Sequence, residues 1–175
     1  ASRLGYQFLS EQIPSADIIT QLSHKLSAGL SETNKFAILE REYILEFAKE
    51  RNLLVDADAP LEEQAKLSKL LGADYMLVGT VSNAHLVKKL ERSQATGYSF
   101  GEFEADFVFD YRLIGVATMQ VKLADTVNLT LLTSDIKELV RQWDPEELDI
   151  LEIRDGLIAK TAACTVATII DRLYP

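Results

Sequence analysis

The eleven residues from Phe103 to Leu113 constrain this chain more than any other stretch. Phe103, Ala105, Phe107, Phe109, Tyr111 and Leu113 alternate with Glu104, Asp106, Val108, Asp110, Arg112 and Ile114. A period of two is the signature of a β-strand whose successive side chains point to opposite faces. One face is almost wholly aromatic or aliphatic, so the chain must supply a second layer to keep it from water. A strand with one dry face belongs to a sheet backed by helices.

The remaining pattern offers those helices and further strands. Leu4 to Leu9 fits a short first strand. Pro14 and Ser15 then give a helix start, with Ser15 as N-cap and Asp17 in the first turn, where a carboxylate meets the positive end of the helix dipole. Ile18, Leu22, Leu26 and Leu30 repeat every four residues and make that helix one-sided. Asn34 restarts the chain as a strand, Phe36 to Leu39, that turns through Glu40 and Arg41 into a helix, Glu42 to Arg51, with Ile44, Phe47 and Ala48 on one face.

Pro60, with Asp58 before it and Glu62 and Glu63 after it, marks a third helix, which Gly72 ends by its access to left-handed backbone. Tyr75 to Val81 reads as a central strand covered on both faces. It and Phe36 to Leu39 are expected to be neighbouring strands of one sheet.

Val81 to Arg92 and the Phe103 strand form a hairpin around the Gly-, Ser- and Thr-rich loop Ser93 to Glu102. Asp125 and Thr126 offer a further turn, after which Val127, Leu129 and Leu131 resume alternation. Beyond Trp143, Pro145 to Tyr174 reads as a long helix with Leu151, Ile158, Ala162, Ile169 and Leu173 on one stripe, Arg154, Asp155, Lys160 and Asp171 off it, and Gly156 as an interruption or bend. The expected fold is therefore α/β (α+β): one domain spanning residues 1–175, with a single mixed sheet of about five strands covered by helices and a long C-terminal helix.

Composition narrows the function. Twenty-seven acidic residues against 18 lysines and arginines give a formal charge of −9, the wrong sign for a nucleic-acid partner, whose phosphates need clustered cations. The densest basic patch, Lys88, Lys89 and Arg92, is interrupted by Glu91 and reads as a solvated strand end. The single cysteine, Cys164, excludes an internal disulfide and a cysteine-based zinc cluster, and reads as a small buried apolar residue. No apolar run approaches the roughly 20 residues of a membrane-spanning helix. The chain opens at Ala1 rather than Met, so a processed or trimmed product is expected, one that a signal peptide or lipid-bearing cysteine could have preceded.

No catalytic constellation emerges. His24 and His85 each lack a second histidine or a cysteine at ligand spacing, and read as surface or satisfied residues. The serines occupy no nucleophile elbow, and Gly72 and Gly79 form no dinucleotide or phosphate loop. Glu62 with Glu63 and Glu146 with Glu147 are explained by helix starts. Glu40 and Arg41, at a strand-to-helix junction, read as a structural brace. Asn128-Leu129-Thr130 matches a glycosylation sequon, relevant only in a eukaryotic secretory setting. The expected site residues are accordingly none: no catalytic, cofactor-binding or metal-binding group, and no cofactor.

Phe36, Leu39, Glu40, Arg41 and Glu50, followed by Leu71, Gly72, Ala73, Asp74, Tyr75, Val78 and Gly79, resemble the signature phrases of the curli secretion-channel (CsgG-like) family. Leu123-Ala124-Asp125-Thr126 keeps only part of a later family phrase. The resemblance implies a bacterial, non-enzymatic cell-envelope protein, periplasmic or associated with the outer membrane. Such a protein would bind other envelope proteins during assembly of curli, flagella or related machinery, and would self-associate as a homo-oligomer.

In channel members each subunit adds β-hairpins to an outer-membrane barrel, which makes a pore-forming secretion subunit the alternative. A hydrolase or nucleotide-binding enzyme is a remote third. Lys88, Lys89, Glu91 and Arg92 in the Val81 to Arg92 strand argue against a lipid-facing hairpin, because Lys or Arg at mid-bilayer costs about 2–4 kcal/mol. The soluble reading, with the aromatic strand face packed under a helix, is therefore expected. Membrane association would require an upstream anchor or oligomeric hairpins.

Overall fold

The computed structural model describes residues 5–12, 18–39, 46, 61–92, 95–96, 99–145 and 147–175. In chain order these form β1 (Gly5–Gln12), α1 (Ile18–Glu32), α2 (Leu61–Leu70), β2 (Tyr75–Arg92), β3 (Ser99–Gly115), β4 (Val121–Leu132), α3 (Thr133–Leu139) and α4 (Ile150–Leu173). The strands make one sheet in the order β1-β2-β3-β4, and every pairing is antiparallel. The expected mixed sheet of about five strands is thus corrected to a four-stranded antiparallel one among the described residues.

The expected strand Phe36 to Leu39 is not part of this sheet. Those residues have no strand pairing; Phe36 and Ile38 instead pack on the core, and the Phe36 ring meets Tyr174 edge-on at 5.8 Å. The Lys35 ammonium stands 5.2 Å from the centre of the same tyrosine ring, so this segment is held by the end of α4 rather than by a ladder. The expected helix Glu42 to Arg51, the Glu40–Arg41 brace, Ser15 and Pro60 lie outside the described residues.

β2 and β3 form a long hairpin, paired from Tyr75↔Gly115 to Arg92↔Ser99, with a register shift between Val81 and Asn83. The start of β2 is not covered on both faces: Tyr75, Gly79 and Thr80 are exposed, and β1 begins beside β2 only at Gln12↔His85. Continuous apolar character here reflects half-burial of Met76, Leu77 and Val78 instead. Nor does Asp125-Thr126 turn the chain. β4 runs unbroken through it, because each polar side chain finds a partner on the adjacent strand: Thr126 on Asp110 at 2.6 Å and Asp125 on Tyr111 at 3.4 Å.

The alternation in β3 resolves as expected. Phe103, Ala105, Phe107, Phe109, Tyr111 and Leu113 are all buried, and Leu123, Val127 and Leu131 of β4 extend the same dry face. α4 crosses β3 and β4 on that side, and α1 packs beside α4 with Ile18, Leu22, Leu26 and Leu30 buried. The two helices run parallel: Gln21 meets Arg154 and Asp155 near their starts, and Lys35 meets Tyr174 just past their ends. Gly29 permits the approach, since a Cβ there would lie 3.0 Å from a Val166 methyl.

α2 stops where the glycine predicts. Gly72 takes φ +82°, its N–H donates to the Lys69 carbonyl at 3.0 Å, and the Ala73 N–H reaches back to Ser68 at 2.9 Å. That pair of bonds satisfies carbonyls which the helix end would otherwise strand.

The C-terminal helix departs from the reading in four respects. It starts at Ile150 rather than Pro145, because Asp149 supplies the cap, accepting from the Leu151 and Glu152 N–H groups at 3.0 and 3.4 Å. Leu151 is exposed, whereas Arg154 is buried, with its guanidinium 3.2 Å from Asp155. With its amide turned to satisfy both, Gln21 bridges the pair at 2.9 and 3.2 Å. Of the interruption or bend expected at Gly156, the interruption is absent, since the helix runs through it; a Cβ there would come within 2.7 Å of Leu139, so the glycine opens room for α3. Cys164 is exposed rather than buried.

Candidate functional site

From Glu104 to Arg112 the sheet face turned away from α4 is polar and exposed or half-buried, whereas Ile114, next on the same face, is buried. On β3 it carries Glu104, Asp106, Val108, Asp110 and Arg112, the alternate set to the buried aromatics. Strand register aligns partners across this face: His85 and Thr130 flank Asp106, Asn83 and Asn128 flank Val108, and Thr80 and Thr126 flank Asp110. Position alone therefore assembles a row of hydrogen-bonding groups from residues far apart in sequence.

Those groups bind one another. His85 Nε2 lies 3.1 Å from Asp106 Oδ2, and its Nδ1 lies 2.9 Å from Asn83 Oδ1. The Thr130 hydroxyl donates to the other Asp106 oxygen at 2.9 Å, and the Thr126 hydroxyl donates to Asp110 at 2.6 Å. Each bond is a cross-strand or near-neighbour contact of the kind that contributes a few tenths to about 1 kcal/mol and fixes register. The carboxylates are thereby held at set spacings instead of swinging freely.

An open cleft of about 500 Å³ crosses the three strands beside this network, lined by Val78, Thr80, Asp110, Arg112, Ala124 and Thr126. Tyr111 and Asp125 also border it, and both of its aspartates already accept a hydroxyl hydrogen bond, Asp110 from Thr126 and Asp125 from Tyr111. Among the described residues no group of three or more His, Cys, Asp and Glu gathers to hold a metal ion. What this surface can do chemically is present fixed donors and acceptors to another surface.

On the opposite, dry face one phenol is a polar exception. Tyr111 is 2% exposed, with its hydroxyl 3.4 Å from Asp125 and close to Thr168. Burial pushes its pKa above the ordinary tyrosine value; the Thr168 hydrogen bond opposes this, and the Asp125 charge adds to it.

The other candidates fall where their ordinary roles place them. His24 is exposed on α1, and Glu62 and Glu63 are exposed in the first turn of α2. Glu147 precedes α4 without capping it, a role that Asp149 takes; Glu146 lies outside the described residues. The backbone of Lys88, Lys89 and Arg92 belongs to β2, and their side chains also lie outside the description. Asn128 and Thr130 both sit on the uncovered face. Sequence reasoning found His85 in a strand but missed its partner, because Asp106 meets it only through the hairpin register. The alternation of β3, continued across the hairpin, is the signal that contained the pairing.

No described helix is long and apolar enough to cross a membrane. No curated protein and no solved structure matches the chain significantly. The family described as curli production assembly/transport component CsgG matches residues 6–142, from the first strand to just past α3. The chain belongs to the CsgG family of curli-type assembly/transport components, a family of the bacterial cell envelope and its outer membrane.

Proposed function

We propose that this chain is a non-enzymatic, periplasmic member of its family that works by binding other envelope proteins, with the uncovered face of the β2–β3–β4 sheet as its contact surface. The observation that carries the reading is the division of labour across the sheet. The apolar side of the hairpin, Phe103 through Leu113, is occupied by α3 and α4, with α1 packed beside α4, while the other side carries His85, Asp106, Asp110, Thr126 and Thr130 held by cross-strand hydrogen bonds. A lipid-inserted hairpin requires an apolar side facing outward. Here that side is already spent on the core, which favours a protein partner over lipid. A partner carrying lysines or arginines complements Glu104, Asp106 and Asp110.

Two measurements test this. The purified chain, added to planar bilayers and to vesicles, is expected to give no stepwise conductance and no flotation. Detergent-dependent rings with conductance would overturn the reading in favour of a pore subunit. In parallel, the chain and its Glu104→Lys/Asp110→Lys variant are compared for binding to a solubilised envelope fraction, with circular dichroism as the fold control. Binding by the wild type that the folded variant loses supports the proposed surface. Equal binding by both excludes it.

A further inference from the structure

We draw no further inference here: the strongest candidate, the outward stripe of Ala159, Ala163 and Ala167 beside Cys164 along the middle of α4, is exposed, but nothing in the structure shows what covers it.

Discussion

Asp106 and Phe107 are consecutive residues of one strand and answer to opposite chemistries. Phe107 has no exposed surface and sits in the core, whereas Asp106 faces the open side, bonded to His85 and Thr130. The same contrast repeats two residues at a time along β3. The dry face is held by removal of apolar area from water, which scales with size and forgives no lost volume. The polar face is held by exchange of water hydrogen bonds for cross-strand ones, whose net worth is small. Stability therefore resides on one side of the sheet and is nearly absent from the other, which leaves the polar side free to vary with a partner.

The largest test of that asymmetry is Phe107→Ala, which should cost about 3–5 kcal/mol by lost transfer energy and a residual cavity. Urea unfolding followed by circular dichroism reads it directly. A loss below about 1 kcal/mol, typical of a surface change, would erase the contrast between the two faces. Gly79→Ala probes the same side more gently. A Cβ at Gly79 would stand 2.4 Å from the Phe109 ring, which is buried and stacked on Tyr111 at 5.6 Å between centres. Forcing that ring aside should cost about 1–3 kcal/mol, and adding Phe109→Leu should recover part of the loss. No recovery in the double variant would mean that the glycine matters for its backbone and not for the ring.

Tyr111 joins the comparison through pH. Burial raises its pKa in the folded state, so the folded chain holds the phenolic proton more tightly than the unfolded chain. The native state then binds more protons, stability falls as pH rises, and the contribution present below the unfolded value of about 10 is lost above it. Unfolding midpoints measured from pH 8 upward should decline more steeply for the wild type than for Tyr111→Phe. Parallel declines would mean that other groups govern the alkaline limb.

How much of this was legible depends on whether a pattern is local. The β3 alternation, the four-residue repeat of Ile18, Leu22, Leu26 and Leu30, and the stop at Gly72 all depend on neighbours within a turn or a strand, and they were readable. Asp125-Thr126 was not, since a polar pair reads as a turn unless Asp110 and Tyr111 of the next strand are known to receive it. Arg154 was misplaced for the same reason: Gln21, more than a hundred residues earlier, helps to satisfy its guanidinium in the interior. The strand expected at Phe36 to Leu39 had the right composition, but its aromatic partner is Tyr174 at the far end of the chain. The candidate surface was half visible, as the polar half of the β3 repeat, while its cross-strand bonds required the register.

On the uncovered side, a double-mutant cycle of His85→Ala and Asp106→Ala should return a coupling of only about 0.5–1 kcal/mol, because both side chains keep contact with water and a partly exposed pair is screened. Differential scanning calorimetry of the four proteins measures it. Coupling above about 2 kcal/mol, the scale of a buried charged hydrogen bond, would make this face a structural element in its own right and weaken its assignment as a contact surface.

The smallest expected effect has the opposite sign, and it comes from beneath the dry face. Thr161 of α4 is fully buried, yet its hydroxyl has no hydrogen-bond partner, although the next threonine along, Thr165, donates to the Thr161 carbonyl at 2.8 Å. A buried hydroxyl without a partner keeps the desolvation cost and recovers none of it. Thr161→Val preserves the branched shape and removes the polar atom, so it should leave stability unchanged or raise it by up to about 1 kcal/mol, visible as a higher urea midpoint at constant slope. Thr165→Val, by contrast, should lower the midpoint, since it deletes a bond that is made. Were both variants destabilised alike, the Thr161 hydroxyl would have to be satisfied within the folded chain, and the interior under β3 would be more polar than its aromatic face implies.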